Sequence, residues 1–160
     1  LDIDITTKIG ECYKWMEEKI PELFLDAVKE LKSNENYTLE VQSKDPSHAL
    51  RCYPRQPSDG QINFSSDAED IIRLINASGD PFYGAFCYFK NKELKIYDAE
   101  IYNDDEKFIA VSGQVIKVDK SNDFVVIAAN GKKIILKEIE YEGKRTKPAS
   151  ILSSIRMRLT

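Results

Sequence analysis

Histidine is nearly absent from this 160-residue chain, cysteine is sparse, and no long apolar run occurs anywhere. Each shortage removes a class of function. The one histidine, His48, lies in a Lys44-Asp45-Pro46-Ser47-His48 loop, where an exposed side chain is expected, and a histidine-based metal site has no second ligand to build on. The three cysteines, Cys12, Cys52 and Cys87, are odd in number, far apart and without a C-x-x-C pair, so they read as reduced thiols rather than a disulfide framework or zinc site. Without a long apolar run there is no membrane-spanning helix to propose, and no basic-then-apolar leader opens the sequence. The expectation is a soluble, cytoplasmic protein with no membrane partner. The first residue is Leu1 rather than methionine, and Leu1-Asp2-Ile3-Asp4-Ile5 reads as a strand end with no domain before it, which suggests a fragment.

What is present suffices for one ordinary domain, or for a helical layer plus a small barrel: 42% of the residues are hydrophobic and 31% charged. Net charge is −4, unevenly spread. From Gly84 onward 14 Lys and Arg face 11 Asp and Glu, a balance of +3 that leaves −7 for residues 1–83. Lys144, Arg145, Lys147, Arg156 and Arg158 gather near the end, either as a solvated face or as contacts for an acidic surface.

The chain divides at Asp80-Pro81-Phe82-Tyr83-Gly84-Ala85-Phe86, with helical patterns before it and strand patterns after. Ile9, Tyr13, Met16, Ile20, Leu23, Ala27 and Leu31 recur at helical spacing and form a docking face. Thr6 or Thr7 is the expected N-cap, and Pro21 predicts a kink or two helices meeting near Lys19 and Ile20. Tyr37 to Val41 is a short strand candidate. The segment from Arg51 to Phe64 combines two arginines, an aromatic and two prolines with an Asp59-Gly60 turn. Ser66-Asp67-Ala68-Glu69 reads as a capping box that opens a helix on Ala68, Ile71, Ile72 and Ile75, ended by Gly79 and Pro81. Arg73 and Asn76 lie off its strongest apolar positions.

Five strands follow: Ala85 to Phe89, Leu94 to Tyr102, Gly113 to Asp119, Phe124 to Ala129 and Lys132 to Tyr141. Asn130-Gly131 is the strongest hairpin signal, because both central positions of a type I′ turn need positive φ. The apolar phase switches within the second strand, which predicts a β-bulge near Asp98. Pro148 suits the first turn of a last short helix carrying Ile151, Leu152 and Ile155 inward. Asp104-Asp105-Glu106 reads as a solvated turn without a charge partner. The fold class is α+β: a long N-terminal helix and a linker helix, then a small OB-like five-stranded antiparallel β-barrel with a short C-terminal helix.

The order of these parts resembles the C-terminal portion of the formyltransferase family, which includes methionyl-tRNA formyltransferase and the sugar N-formyltransferases. The resemblance rests on the long helix, the Pro/Arg linker, the capped helix, the Gly84-Ala85-Phe86 turn and a late Gly113-Gln114-Val115 strand. Phe64 stands where the family usually has tryptophan, and Pro46 precedes His48 by two where its Asn-x-His motif would need asparagine. The resemblance implies that residues 1–64 are the end of a catalytic domain and its linker, and that 65–160 form the C-terminal domain. It further implies that 10-formyltetrahydrofolate is bound by an N-terminal domain outside this sequence, that the chain itself holds no catalytic residue and no cofactor, and that alone it transfers nothing.

Two acceptors compete. A nucleotide-linked amino sugar calls for an aromatic and arginines in a rigid loop, which Arg51, Tyr53 and Arg55 supply; initiator tRNA calls for a broad basic surface. The thin positive balance and the Asp80–Phe86 turn favour the sugar. A third reading is a stand-alone OB-like module, with Phe86, Tyr88 and Phe89 as a stacking platform or, by strand alternation, as partly core. A homodimer is a further expectation, since the first helix must bury its stripe on a neighbouring chain or on the capped helix.

Overall fold

The computed structural model describes residues 1–34 and 40–160. Most of the strand candidate at Tyr37 to Val41 therefore lies outside the described residues. Helix α1 spans Ile9–Ser33, α2 Ala68–Ser78 and α3 Pro148–Ile151; strands are β1 Ala85–Phe89, β2 Lys92–Ile101, β3 Val115–Asp119, β4 Phe124–Ala129, β5 Lys132–Tyr141 and β6 Lys144–Thr146. The α+β architecture is the expected one, with β6 added. That short strand arises because Glu142 and Gly143 both adopt positive φ, closing a two-residue hairpin that composition did not announce. Asn130-Gly131 forms the same turn, as expected, and so does Lys90-Asn91.

All neighbouring strands are antiparallel, in the order β1-β2-β5-β4-β3, with β6 beside β5. Register shifts on both sides of Asp98 are the expected bulge, and they let Leu94 and Ile96 and then Ala99 reach one core. Closure does not come from pairing β1 with β3. Residues 157–160 lie between the two edges instead: Tyr88 and Thr160 exchange backbone bonds of 2.6 and 3.0 Å, the Val115 amide donates to Met157, and the Leu159 amide donates to Gly113. Both edges are thereby paired, so neither is left as an open template for another strand.

The core joins the inner face of this sheet to α2, with Ile71, Ile75, Leu94, Ile96, Ile127, Ile134, Leu136 and Ile139 fully buried. Ile62 and Phe64 belong to it, so the linker end is already packed. On β1, Cys87 and Phe89 face inward; Phe86 is also covered, although from the outer side, and Tyr88 is half exposed.

Several local expectations are corrected. Leu1 to Asp4 form no strand. The N-cap of α1 is Lys8, because the Thr6 and Thr7 hydroxyls are engaged with Asp4 one turn earlier. Helix α1 runs unbroken through Pro21, which forfeits one backbone donor while the turns on either side continue. The N-cap of α2 is Asp67 and no Ser66 capping box forms: Glu69 turns to Lys132, and Asp67 accepts from the Asn130 side chain at 2.9 Å. Helix α3 stops at Ile151, so Leu152 is buried but Ile155 is exposed. Asp104 does have a partner, the nearly buried ammonium of Lys133. Finally, α1 contains no fully buried residue, and Ile20, Leu23, Phe24 and Leu31 stay exposed. Its N-terminal end touches the rest of the chain, for example Tyr13 edge-on to Phe82 at 5.5 Å. The stripe is not covered by α2, because α2 spends its apolar face on the sheet.

Candidate functional site

The linker meets the sheet at the dividing turn, and the meeting leaves a cleft of about 420 Å³ lined by Arg55, Gln56, Pro57, Gly60, Ala77, Ser78, Phe82, Tyr83 and Gly84. Pro57 opens a 3₁₀ turn over Pro57–Gly60, which the Asp59 carboxylate fixes by accepting the Gln56 amide at 2.7 Å. Beyond it the Ile62 amide donates to Phe86 at 2.7 Å, and Gln61 bridges Phe86 in parallel, so the linker is tied to β1. Gly60 is buried where a Cβ would stand 2.9 Å from the Gly84 carbonyl oxygen; no larger residue permits that approach.

The opposite wall is the turn between α2 and β1. The Gly84 amide donates to Ser78 at 2.8 Å and the Phe82 amide to Gly79 at 2.9 Å, with a cis peptide between Asp80 and Pro81. Gly79 ends α2 at φ −65°, so the helix stops without a left-handed residue. The turn is pinned to the sheet by charge: Arg145 of β6 grips both Asp80 oxygens at 2.6 and 2.7 Å and lies 3.7 Å from the Tyr97 ring centroid. That bond to Asp80 raises the guanidinium pKa further still. Tyr83 is held likewise, with the Lys95 ammonium 3.8 Å from its ring centroid and its hydroxyl donating to Glu93 at 3.0 Å. The bond to Glu93 favours the neutral phenol and raises its pKa.

Arg55 is the one of the three expected site residues that lines the cleft. Its Nη2 donates to the Ser78 hydroxyl at 3.1 Å and to the Asp59 carbonyl at 3.3 Å. Arg51 and Tyr53 sit on an exposed stretch outside it, Tyr53 at 84% exposure, so the structure does not bring the trio together. Phe82 and Tyr83, half exposed at the mouth, are the cleft residues that linker chemistry does not disclose. Their signal in the sequence is two adjacent aromatics directly after a proline, too polar a context for core.

A second, smaller cleft of about 240 Å³ lies on the other side of the same turn, between the start of α1, the end of α2 and β2. Lys8 there pairs with Asp98 at 2.9 Å. Asn76 is buried in its wall, donating to the Ile5 carbonyl at 2.7 Å, while its Oδ1 has no hydrogen-bond partner among the described residues. Arg73 points away and pairs with Asp70. His48 is exposed beside the Ser43 hydroxyl. Among the described residues no group of three His, Cys, Asp or Glu is arranged to hold a metal ion, and no helix is long and apolar enough to cross a membrane.

The fold is thus a six-stranded antiparallel sheet bridged by residues 157–160, with the linker laid over its first strand. The family model described as "Formyl transferase, C-terminal domain" matches residues 55–155. The chain belongs to that family. Methionyl-tRNA formyltransferase of Sulfurihydrogenibium sp. (strain YO3AOP1) is 30% identical over 129 residues, 81% of this chain and 40% of that protein. The one from Desulfotalea psychrophila is 28% identical over 129 residues, 80% of this chain and 38% of that protein. The chain thus spans about two fifths of the length of these curated relatives. Among solved structures, HypX from Aquifex aeolicus in complex with tetrahydrofolic acid has the same fold at TM-score 0.67 and 15% identity, over 95% of this chain and 26% of that one.

Proposed function

We infer that this chain is the acceptor-side portion of a formyltransferase that takes its formyl group from 10-formyltetrahydrofolate, with initiator methionyl-tRNA as acceptor. The observation carrying this reading is the family match across 55–155, joined to relatives that are named methionyl-tRNA formyltransferases. In the reaction the acceptor amine attacks the formyl carbon, the carbon–nitrogen bond to the folate breaks, and the amine's proton leaves. Those steps belong to a folate-binding, catalytic part outside this chain, which by itself is inactive and holds no cofactor. Residues 1–64 close the catalytic domain and link it onward; 65–160 present the acceptor, in the cytoplasm. The uncovered stripe of α1 packs on that catalytic part rather than on a second copy of the chain. The exposed Lys144, Lys147 and Arg156 supply phosphate contacts.

The nucleotide-linked amino sugar is a second reading, favoured by electrostatics. Much of the positive charge on the sheet is already spent on neighbours: Lys92 on Glu142, Lys132 on Glu69, Lys133 on Asp104 and Lys137 on Glu100. In that reading Arg55 meets the diphosphate, and Arg51 and Tyr53 close over the nucleotide from the exposed stretch. The test is direct. The protein from the complete reading frame, given 10-formyltetrahydrofolate, is expected to formylate methionyl-tRNA at a rate that falls steeply with salt. Product only from a nucleotide-linked amino sugar overturns the tRNA assignment in favour of the second reading, and no product from either overturns the family's reaction for this protein.

A further inference from the structure

We propose that the cleft between the linker and the α2–β1 turn is a nucleotide subsite: an unpaired base packs on Phe82 and Tyr83, and its phosphate meets Arg55. The proposal rests on the reading that the acceptor carries a nucleotide, and it adds a place and a chemistry that the linker arginines alone do not define.

Four observations carry it. The cleft, at about 420 Å³, is large enough for one base with its ribose and far too small for a duplex. Its mouth offers two large aromatic surfaces, Phe82 at 47% and Tyr83 at 45% exposure, that no apolar neighbour fully covers. Both are held rather than loose. Phe82 is backed edge-on by Tyr13 at 5.5 Å, and Tyr83 by Phe86 at 6.1 Å, by Lys95 over its ring and by Glu93 on its hydroxyl. Rings fixed in this way accept a flat partner without losing much side-chain freedom.

The polar end is equally specific. Among the described residues Arg55 is anchored through Nη2 alone, to Ser78 and the Asp59 carbonyl, so Nη1 and Nε keep their donors. Among the described residues no carboxylate lines the cleft, and the Asp59 carboxylate is turned back onto the Gln56 amide. An anion therefore meets an arginine without a competing negative group. The smaller cleft beyond the turn differs in this respect: Glu11, Asp80 and Glu138 line it, and Arg145 is already taken by Asp80.

The shared chemistry, a base plus a phosphate, arises either in the unpaired end of an RNA or in a nucleoside diphosphate. The chain is titrated with adenosine, AMP, UDP and the trinucleotide CCA while amide resonances are followed. Shifts confined to Ser78, Phe82, Tyr83 and Gly84 are expected, with AMP binding more tightly than adenosine. Arg55→Ala should abolish the preference of AMP over adenosine but leave adenosine unchanged, whereas Phe82→Ala should weaken both by about tenfold. Arg55→Lys retains the charge and should recover part of the preference, which separates a binding role from loss of the linker fold. CCA tighter than UDP assigns the site to RNA, and the reverse assigns it to a nucleotide-linked sugar. No binding to the cleft by any of the four overturns the proposal, as does an AMP preference that survives Arg55→Ala. Formylation of methionyl-tRNA undiminished by Phe82→Ala in the complete protein discards the cleft for that substrate while leaving the family reading in place.

Discussion

Cys87 illustrates how one side chain's chemistry follows from strand alternation. It faces the core from β1, fully buried, with its sulfur 3.6 Å from the Leu94 carbonyl oxygen, and burial pushes its thiol pKa well up. Cys52 lies exposed in the linker. A thiol-specific disulfide reagent at mildly alkaline pH is therefore expected to modify Cys52 at once and Cys87 only as fast as the sheet opens; comparable rates would mean that β1 is not packed as described. Titration at the surface has a definite sign. Asp119 is held below its ordinary value of 3.8 by the Asn122 side chain and by turn amides, and Glu69 below 4.5 by Lys132. A carboxylate depressed on folding contributes stability that is fully present above its unfolded pKa and is lost as pH falls through the folded one. The thermal midpoint, followed by circular dichroism, should be flat from neutrality to about pH 5 and fall below about pH 4. At this scale the sequence was informative about type and weak about partner: it marked Arg55 as a phosphate-binding candidate, but that Ser78 and Asp59 would orient it depends on a fold-back that spacing does not encode.

Among the elements, β3 carries the sharpest constraint. Gly113 sits just before it at φ +83°, and a Cβ there would lie 2.1 Å from the Leu159 carbonyl oxygen. Gly131 has a similar φ of +78° but open space around it. Both glycines answer a backbone need, yet Gly131→Ala should cost about 1 kcal/mol, from backbone strain alone, and Gly113→Ala about 2 kcal/mol or more, because the closing segment must also move. Urea denaturation of the two variants measures the difference, and equal costs would contradict the close approach. Helix α1 makes the opposite case. Leu23 and Phe24 are 64% and 67% exposed, so Leu23→Lys and Phe24→Lys should change the stability of this chain by less than about 0.5 kcal/mol. In the complete protein the same changes should be clearly destabilising if the stripe packs on the catalytic part. The stripe was evident from its period; what it packs against was not, because period reports which face is apolar and says nothing of what covers it.

The whole molecule is held together by its edges as much as by its core. Leu159 is fully buried and its neighbours satisfy backbone groups on both β1 and β3. Deletion of residues 157–160 is expected to lower the thermal midpoint and to speed amide exchange at Tyr88 and Val115 well before β2 and β5 are affected; uniform exchange would show that the sheet does not depend on this closure.

By itself the sequence determined the division into helices and strands, all five expected strands to within two residues at either end, the bulge at Asp98 and the membership of the formyltransferase family. These are written in local periods, turn residues and the order of motifs, all of which survive without knowledge of what meets what. Only the tertiary structure decided which residues share a place. It drew Arg55 to Phe82 and Tyr83, left Arg51 and Tyr53 outside, gave Asp104 to Lys133, moved the N-cap of α2 from Ser66 to Asp67, and closed the sheet with a segment that reads as nothing in particular. The reason is physical: hydrogen bonds and ion pairs between residues far apart in sequence depend on the fold that brings them within reach, and a local pattern carries no record of them.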